Sequence, residues 1–140
     1  MTNIDHIKRI YFLGIGGIGM SGLALIMNGL GFKVQGSDIV KNKNIERLEE
    51  KKIKVFLKHK KKNIDKTTIL VISSAIKPDN LELAHAKKSK LPIYTRGEML
   101  GHIVSLMRNI VVTGSHGKTT TTSLISSIFT EAKLDPTIIN

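Results

Sequence analysis

Two glycine-rich turns constrain this chain more than any other feature, because each sits between an apolar run and a stretch of helical periodicity. A strand that stops at a glycine turn and restarts as a helix opens a parallel α/β unit. The first turn is Gly14-Ile15-Gly16-Gly17-Ile18-Gly19, after the apolar run 10–13. The second is Gly114-Ser115-His116-Gly117-Lys118-Thr119-Thr120, after the apolar run 109–113.

The intervening sequence alternates in the same way. Apolar runs predict strands over 9–13, 33–37, 53–56, 68–72, 91–94 and 109–113. Helical spacing predicts helices over 20–30, 44–52, 81–88, 96–106 and 118–130. The expected fold is α/β: a Rossmann-like parallel sheet over residues 1–107, then the first strand, loop and helix of a P-loop ATPase domain over 108–140. A domain opened at residue 108 has only 33 residues in which to close, so the expectation is an N-terminal piece of a longer protein.

The first turn fits G-x-G-x-x-G. In that pattern Gly14 makes the tight turn, Gly16 lets the backbone approach a pyrophosphate, and Gly19 brings the helix close to the sheet. The helix start offers unpaired N–H groups to an anion. Asp38 follows nineteen residues after Gly19, at the end of the second strand, where such folds contact a ribose. A glycine turn used only for packing fits the same residues, as does an NAD(P) site, and Asp38 fits a turn residue beside Ser37.

The second turn keeps the working end of a Walker A motif without its first glycine, since Val112 stands there. Backbone N–H groups from Gly114 to Thr119 fit a β-phosphate, Lys118 reaches the β- and γ-phosphates, and the Thr119 hydroxyl suits Mg²⁺. A lysine at a helix start opposes the macrodipole, and bound phosphate relieves that conflict. A plain surface lysine is the alternative. His116 fits a phosphate contact, a general base or a turn donor. Thr120, Thr121, Thr122 and Ser123 read as the polar start of a helix rather than as nucleophiles.

Charge supplies a rival. Twenty-two Lys and Arg face eleven Asp and Glu, a net +11. Only Arg9, Arg47, Arg96 and Arg108 are arginines, the better partners for phosphate and base edges. Lysines crowd the segment 51–66 with few aromatics among them, which disfavours a stacking platform for nucleic acid. The absence of cysteine excludes a disulfide scaffold, a thiol nucleophile and a thiolate metal site. The scattered His6, His59, His85 and His102 lack metal-ligand spacing. No apolar run approaches the length of a membrane span, and a cytoplasmic protein is the expected setting.

With both turns placed, the sequence resembles the Mur ligase family. The resemblance rests on 12–24 with its doubled Gly16-Gly17 and on Gly36-Ser37-Asp38. It continues through Ser73-Ser74-Ala75-Ile76, Arg96-Gly97-Glu98-Met99-Leu100, 114–122 and Leu134-Asp135-Pro136-Thr137. It implies a bacterial, cytoplasmic, ATP- and Mg²⁺-dependent ligase of peptidoglycan precursor synthesis, in the branch that joins L-alanine to UDP-N-acetylmuramate. In that frame the loop Gly14, Ile15, Gly16, Gly17, Ile18 and Gly19 holds the uridine diphosphate rather than NAD, with Ser37, Asp38, Ser73, Ser74 and Arg96 near the nucleotide sugar. Gly114, Ser115, His116, Gly117, Lys118, Thr119 and Thr120 bind ATP, with Lys118 the catalytic group and Thr119 the metal ligand. No nucleic-acid partner and no membrane insertion are implied, and a piece of this extent is expected to be inactive alone.

Overall fold

The structure, a computed structural model, describes residues 9–64, 67 and 69–139. The N-terminal segment before Arg9, and Thr68, expected to open the fourth strand, lie outside the described residues. The chain forms two compact units, Met1–Leu106 and Met107–Asn140.

In the first unit the order is β1 (Ile10–Leu13), α1 (Ile18–Gly29), β2 (Val34–Ser37), α2 (Lys43–Glu50), β3 (Lys54–Phe56), a 3-10 turn (Lys61–Ile64), β4 (Ile69–Ile72), α3 (Leu81–Lys88), β5 (Ile93–Thr95) and α4 (Arg96–Leu106). The five strands form one parallel sheet in the order β3-β2-β1-β4-β5. The chain therefore winds outward from β1 to β3, then returns to β4 on the other side of β1. That reversal makes the carboxyl end of β1 the topological switch point, where open α/β sheets bind ligands.

β1 is buried on both faces, and its alternation divides the core. Ile10 and Phe12 pack with Met20, Leu23, Ala24 and Met27 of α1, Leu48 of α2, and Met99 and Ile103 of α4. Tyr11 and Leu13 face the other way, with Leu70, Ile64 and the α3 residues Leu83 and Ala86. Gly36 of β2 sits directly opposite Phe12. A Cβ there would collide with the Phe12 carbonyl and stand 2.7 Å from Ile15 Cδ1. The missing side chain thus makes room for the buried residue of the first glycine turn.

Four helices end in one motif. In the Schellman arrangement the residue after the cap turns left-handed, and its successor bonds back five residues. After α1 this pair is Gly31 and Phe32, with Phe32 N donating to Met27 O at 3.1 Å. After α2 it is Lys52 (φ 61°) and Ile53, and after α3 it is Lys90 (φ 52°) and Leu91. The helix of the second unit, α5 (Lys118–Glu131), ends with Lys133 (φ 56°) and Leu134. Lysine therefore occupies three of four positions that favour glycine, and in the first unit the apolar successors Phe32, Ile53 and Leu91 pack against the core. Part of the lysine excess is spent on helix ends.

The second unit departs from the sequence expectation at one element. The run 109–113 forms no strand; the chain from Met107 to Gly117 is irregular. A strand exists through its ladder bonds, and the described residues of this unit offer no second strand to pair with. Val111 and Ile110 are exposed, as are Leu124 and Ile128 of α5, which buries no residue.

Two stability outcomes follow. Lys90→Gly should raise stability by about 0.5–1 kcal/mol, the left-handed penalty relieved less the added unfolded-state entropy, read as an increase in thermal midpoint. Gly36→Ala should lower it by about 1–3 kcal/mol through overpacking, read in the same melt.

Candidate functional site

The register brings the site residues together before any side chain is considered. Leu13 pairs with Ser37 and with Ile72, Ser37 with Phe56, and Ile72 with Thr95. The last residues of all five strands thus form one level row. Gly14, Asp38, Leu57, Ser73 and Arg96, far apart in sequence, are the first residues beyond it.

The first glycine turn is held from below by backbone bonds. Gly14 (φ 81°) and Ile15 both donate to the Ser37 carbonyl, at 2.8 and 3.0 Å. Ile15 is buried and anchors the turn. Gly16 is fastened at both ends: its N–H donates to Asp38 Oδ2 at 2.8 Å, and its carbonyl accepts from Asn42 Nδ2 at 3.1 Å and Asn44 Nδ2 at 2.9 Å. A Cβ on Gly16 would lie 2.9 Å from Asp38 Oδ2 and 3.1 Å from Asn42 Nδ2. The space that the sequence pattern reserves for a pyrophosphate is taken at this residue by the chain itself. Asp38 Oδ1 accepts from Ile39 N and Val40 N at 2.7 and 3.3 Å. With three backbone N–H groups on its carboxylate, Asp38 clamps the turn in this structure.

The start of α1 stays open. Gly17 caps it without a side-chain bond, and no acidic residue occupies the first turn. Unpaired N–H groups there carry the positive end of the helix dipole. Arg96 lies against this turn: a Cβ on Gly19 would stand 2.6 Å from Arg96 Nη1 and 3.0 Å from its Cδ. Gly19 therefore makes room for a guanidinium. Arg96 opens α4 inside a capping box. Thr95 N and Oγ1 donate to Glu98 Oε2 at 2.7 and 2.8 Å, and Glu98 N returns a bond to Thr95 Oγ1 at 3.3 Å. Those bonds from Thr95 hold the Glu98 carboxyl below its usual range. Ser73 closes the other side, its Cβ 3.0 Å from the point where a Gly14 side chain would begin. Its Oγ accepts from Ala75 N at 3.3 Å. Ser74 is exposed in the same turn.

Ser37 faces away from this opening. Its hydroxyl is buried and donates to Glu82 Oε2 at 2.6 Å. Glu82 is fully buried and collects four further donors. Tyr11 Oη (3.0 Å), Asn63 Nδ2 (2.7 Å) and Lys60 N (3.1 Å) reach Oε1, and His59 Nδ1 reaches Oε2 at 3.0 Å. Burial drives the Tyr11 phenol far above its ordinary range, and the Glu82 charge adds to that. Sequence reasoning missed Tyr11, His59, Asn63 and Glu82. A tyrosine amid the fully apolar β1 was the one available signal, since a buried phenol needs a partner.

In the second unit the loop 114–117 turns at Gly117 (φ 76°), which caps α5 without a side-chain bond. Nothing lies within 4 Å of a Cβ placed on Gly117, so its backbone angle, not crowding, calls for glycine. Lys118 curls back over the loop, its Nζ donating to Gly114 O at 2.8 Å and Ser115 O at 3.4 Å. Those carbonyls offset the cost of a cation at a helix start. Ser115, His116, Thr119 and Thr120 are exposed around it. Among the described residues no three His, Asp or Glu side chains gather as a metal site.

Known proteins resemble this chain in sequence and fold. The family model described as "Mur ligase family, catalytic domain" matches residues 9–108. The UDP-N-acetylmuramate–L-alanine ligase of Pelagibacter ubique is 71% identical over 94% of this chain and 28% of its own length. That of Aquifex aeolicus is 49% identical over 96% of this chain and 30% of its own. Among solved structures, the UDP-N-acetylmuramate-alanine ligase MurC of Thermotoga maritima is 32% identical with a TM-score of 0.80, covering 91% of this chain and 30% of that one. The chain thus spans less than a third of the curated relatives it matches. With a family model matched across most of its length and relatives aligned nearly end to end along it, the chain belongs to the Mur ligase family.

Proposed function

We propose that this chain is the nucleotide-sugar-binding part (1–107) and the opening of the ATP-binding part (108–140) of a ligase that joins L-alanine to the lactyl carboxylate of UDP-N-acetylmuramate. The observation that carries the first half is the Arg96 guanidinium over the uncapped start of α1, beside Gly14 to Gly19. A diphosphate needs such a combination: backbone N–H groups for its oxygens and a planar cation for its charge. Ser73 and Ser74 border the same opening and supply hydroxyls to the nucleotide sugar. Relatives carrying the name of this ligase support the choice of sugar and amino acid.

The second loop supports an ATP site. In the proposed reaction the lactyl carboxylate oxygen attacks the γ-phosphorus, the bond to ADP breaks, and an acyl phosphate forms. The alanine amine then attacks the acyl carbon, loses a proton, and inorganic phosphate leaves. No protein nucleophile is required; positioning and charge neutralisation do the chemistry. Lys118 exchanges the Gly114 and Ser115 carbonyls for phosphate oxygens, and Ser115, His116, Gly117 and Thr120 line the same loop. Mg²⁺, when bound, draws charge from those oxygens, and Thr119 is the hydroxyl that would hold it.

A chain matching under a third of its relatives' length is expected to bind without turning over. Such a ligase works on precursors in a bacterial cytoplasm; among the described residues no helix is long and apolar enough to cross a membrane. The lysines are read as a solvated surface rather than a nucleic-acid face.

Titration calorimetry should give saturable binding of UDP-N-acetylmuramate to this chain and none of NADH or NADPH; nicotinamide binding alone would overturn the reading. Arg96→Ala should weaken the uridine nucleotide by about ten- to a hundredfold, the worth of a charged hydrogen bond. In the full-length ligase, Lys118→Ala should cut turnover by roughly a hundredfold or more while leaving UDP-N-acetylmuramate affinity unchanged. Unaltered turnover would remove Lys118 from the machinery.

A further inference from the structure

The first unit buries a carboxylate that the proposed reaction does not use. Among the described residues Glu82 has no Lys or Arg side-chain partner, and its donors are Tyr11, Ser37, His59, Lys60 N and Asn63. Removing an ionised carboxylate from water costs several kcal/mol before its bonds repay any of it. Tyr11, Ser37 and Asn63 are buried side chains, and Lys60 contributes only its backbone N–H. The fifth, His59, is different. Its side chain is 17% exposed, and it lies just past β3, at the same edge of the sheet as the glycine turn.

The bonds fix this ring. Nδ1 is 3.0 Å from both Glu82 Oε2 and Ser37 Oγ. Because the Ser37 hydroxyl donates to Glu82, both oxygens are acceptors toward the ring, which assigns the proton to Nδ1. Nε2 has no partner among the described residues and is not a buried unpaired atom, so it lies on the exposed part of the ring. In a neutral imidazole held this way Nε2 is an acceptor. A carboxylate behind an imidazole is how proteins orient a ring toward a ligand.

We propose that His59 is a ligand-contacting residue of the nucleotide-sugar site, its Nε2 accepting a hydrogen bond from an N–H or hydroxyl of the nucleoside half, with Glu82 as the positioning residue behind it. The proposal rests on the uridine-nucleotide reading above. A diphosphate on the turn after β1 sends its nucleoside across the end of β2, toward β3 and His59. Ser37 links the two places, its carbonyl under the glycine turn and its hydroxyl on the Glu82–His59 pair.

The test is a titration of the ¹⁵N-labelled 140-residue chain with UDP-N-acetylmuramate, following the imidazole nitrogens by long-range ¹H–¹⁵N correlation. His59→Asn identifies the signals. The Nε2 resonance of His59 should move with the same saturation curve as the backbone amides of Gly14 to Gly19. Amides that respond while Nε2 stays fixed would overturn the proposal and leave the nucleotide reading standing. No response anywhere would overturn both. Two variants separate contact from filling. His59→Gln places an amide near Nε2, whereas His59→Asn places one near Nδ1 and still serves Glu82. Contact through Nε2 predicts affinity within about threefold for Gln and a loss of about tenfold for Asn, the worth of one hydrogen bond. The reverse order, or no loss in either, would make His59 a structural plug.

Discussion

Parallel pairing without offset is the constraint on which the rest of the first unit depends. Leu13, Ser37, Phe56, Ile72 and Thr95 end level, so five loops leave the sheet at one height. A slip of one residue in any strand would exchange its two faces. In β2 it would turn Gly36 away from Ile15 and drive Ser37 toward α1. The glycine turn would then lose both the space under Ile15 and the carbonyl that holds Gly14. Site geometry and core packing are therefore one requirement on β2. This explains why a strand of four residues contains a glycine and a serine, neither of which favours a strand by itself.

The Glu82 cluster is a second consequence of that register. Tyr11 and Ser37 share the face of the sheet that α3 covers, and Glu82 enters between them from the first turn of α3. Asn80 caps that helix through Glu82 N and Leu83 N, at 2.9 and 3.2 Å, which aims the carboxylate. The position suits an acid by the helix dipole. Buried carboxylates contribute little net stability, since desolvation offsets most of what their bonds return. What the cluster supplies is direction: it joins α3, β1, β2 and the segment 58–63 in one relative placement. Loss of Glu82 would leave several buried donors unpaired, each costing about 1–3 kcal/mol.

Much of this was legible in the sequence, and the failures share a cause. The five strands of the sheet, the helices between them and the two glycine turns follow from local periodicity. The residues at the ends of strands were located for the same reason. What those side chains do there was decided by partners distant in sequence. Ser37 was expected at the ligand and turns inward to Glu82, 45 residues away. Asp38, read as a ribose contact or a turn residue, accepts from Gly16, 22 residues back. His59 looked like one of several scattered histidines until folding set it against Glu82. The run 109–113 has strand composition and no ladder, because composition is local and pairing is not. The left-handed lysines carry no sequence signal, because the motif favours glycine at that position and these helices place lysine there.

The two glycine turns also differ in how they are made ready for an anion. In the first, Ser37, Asp38, Asn42 and Asn44 satisfy the polar groups of Gly14 to Gly16, while the N–H groups at the start of α1 are left open beneath Arg96. Its shape is fixed by bonds that a ligand need not break, so ordering costs little of the binding energy. In the second, the cation closes on its own loop, Lys118 resting on Gly114 and Ser115 carbonyls. A phosphate there must displace those bonds, and the exchange succeeds only for an anion whose charge outweighs two neutral carbonyls. A triphosphate meets that condition more readily than a carboxylate or a single hydroxyl. The first turn is therefore preorganised, whereas the second must trade internal bonds for those of any anion it takes.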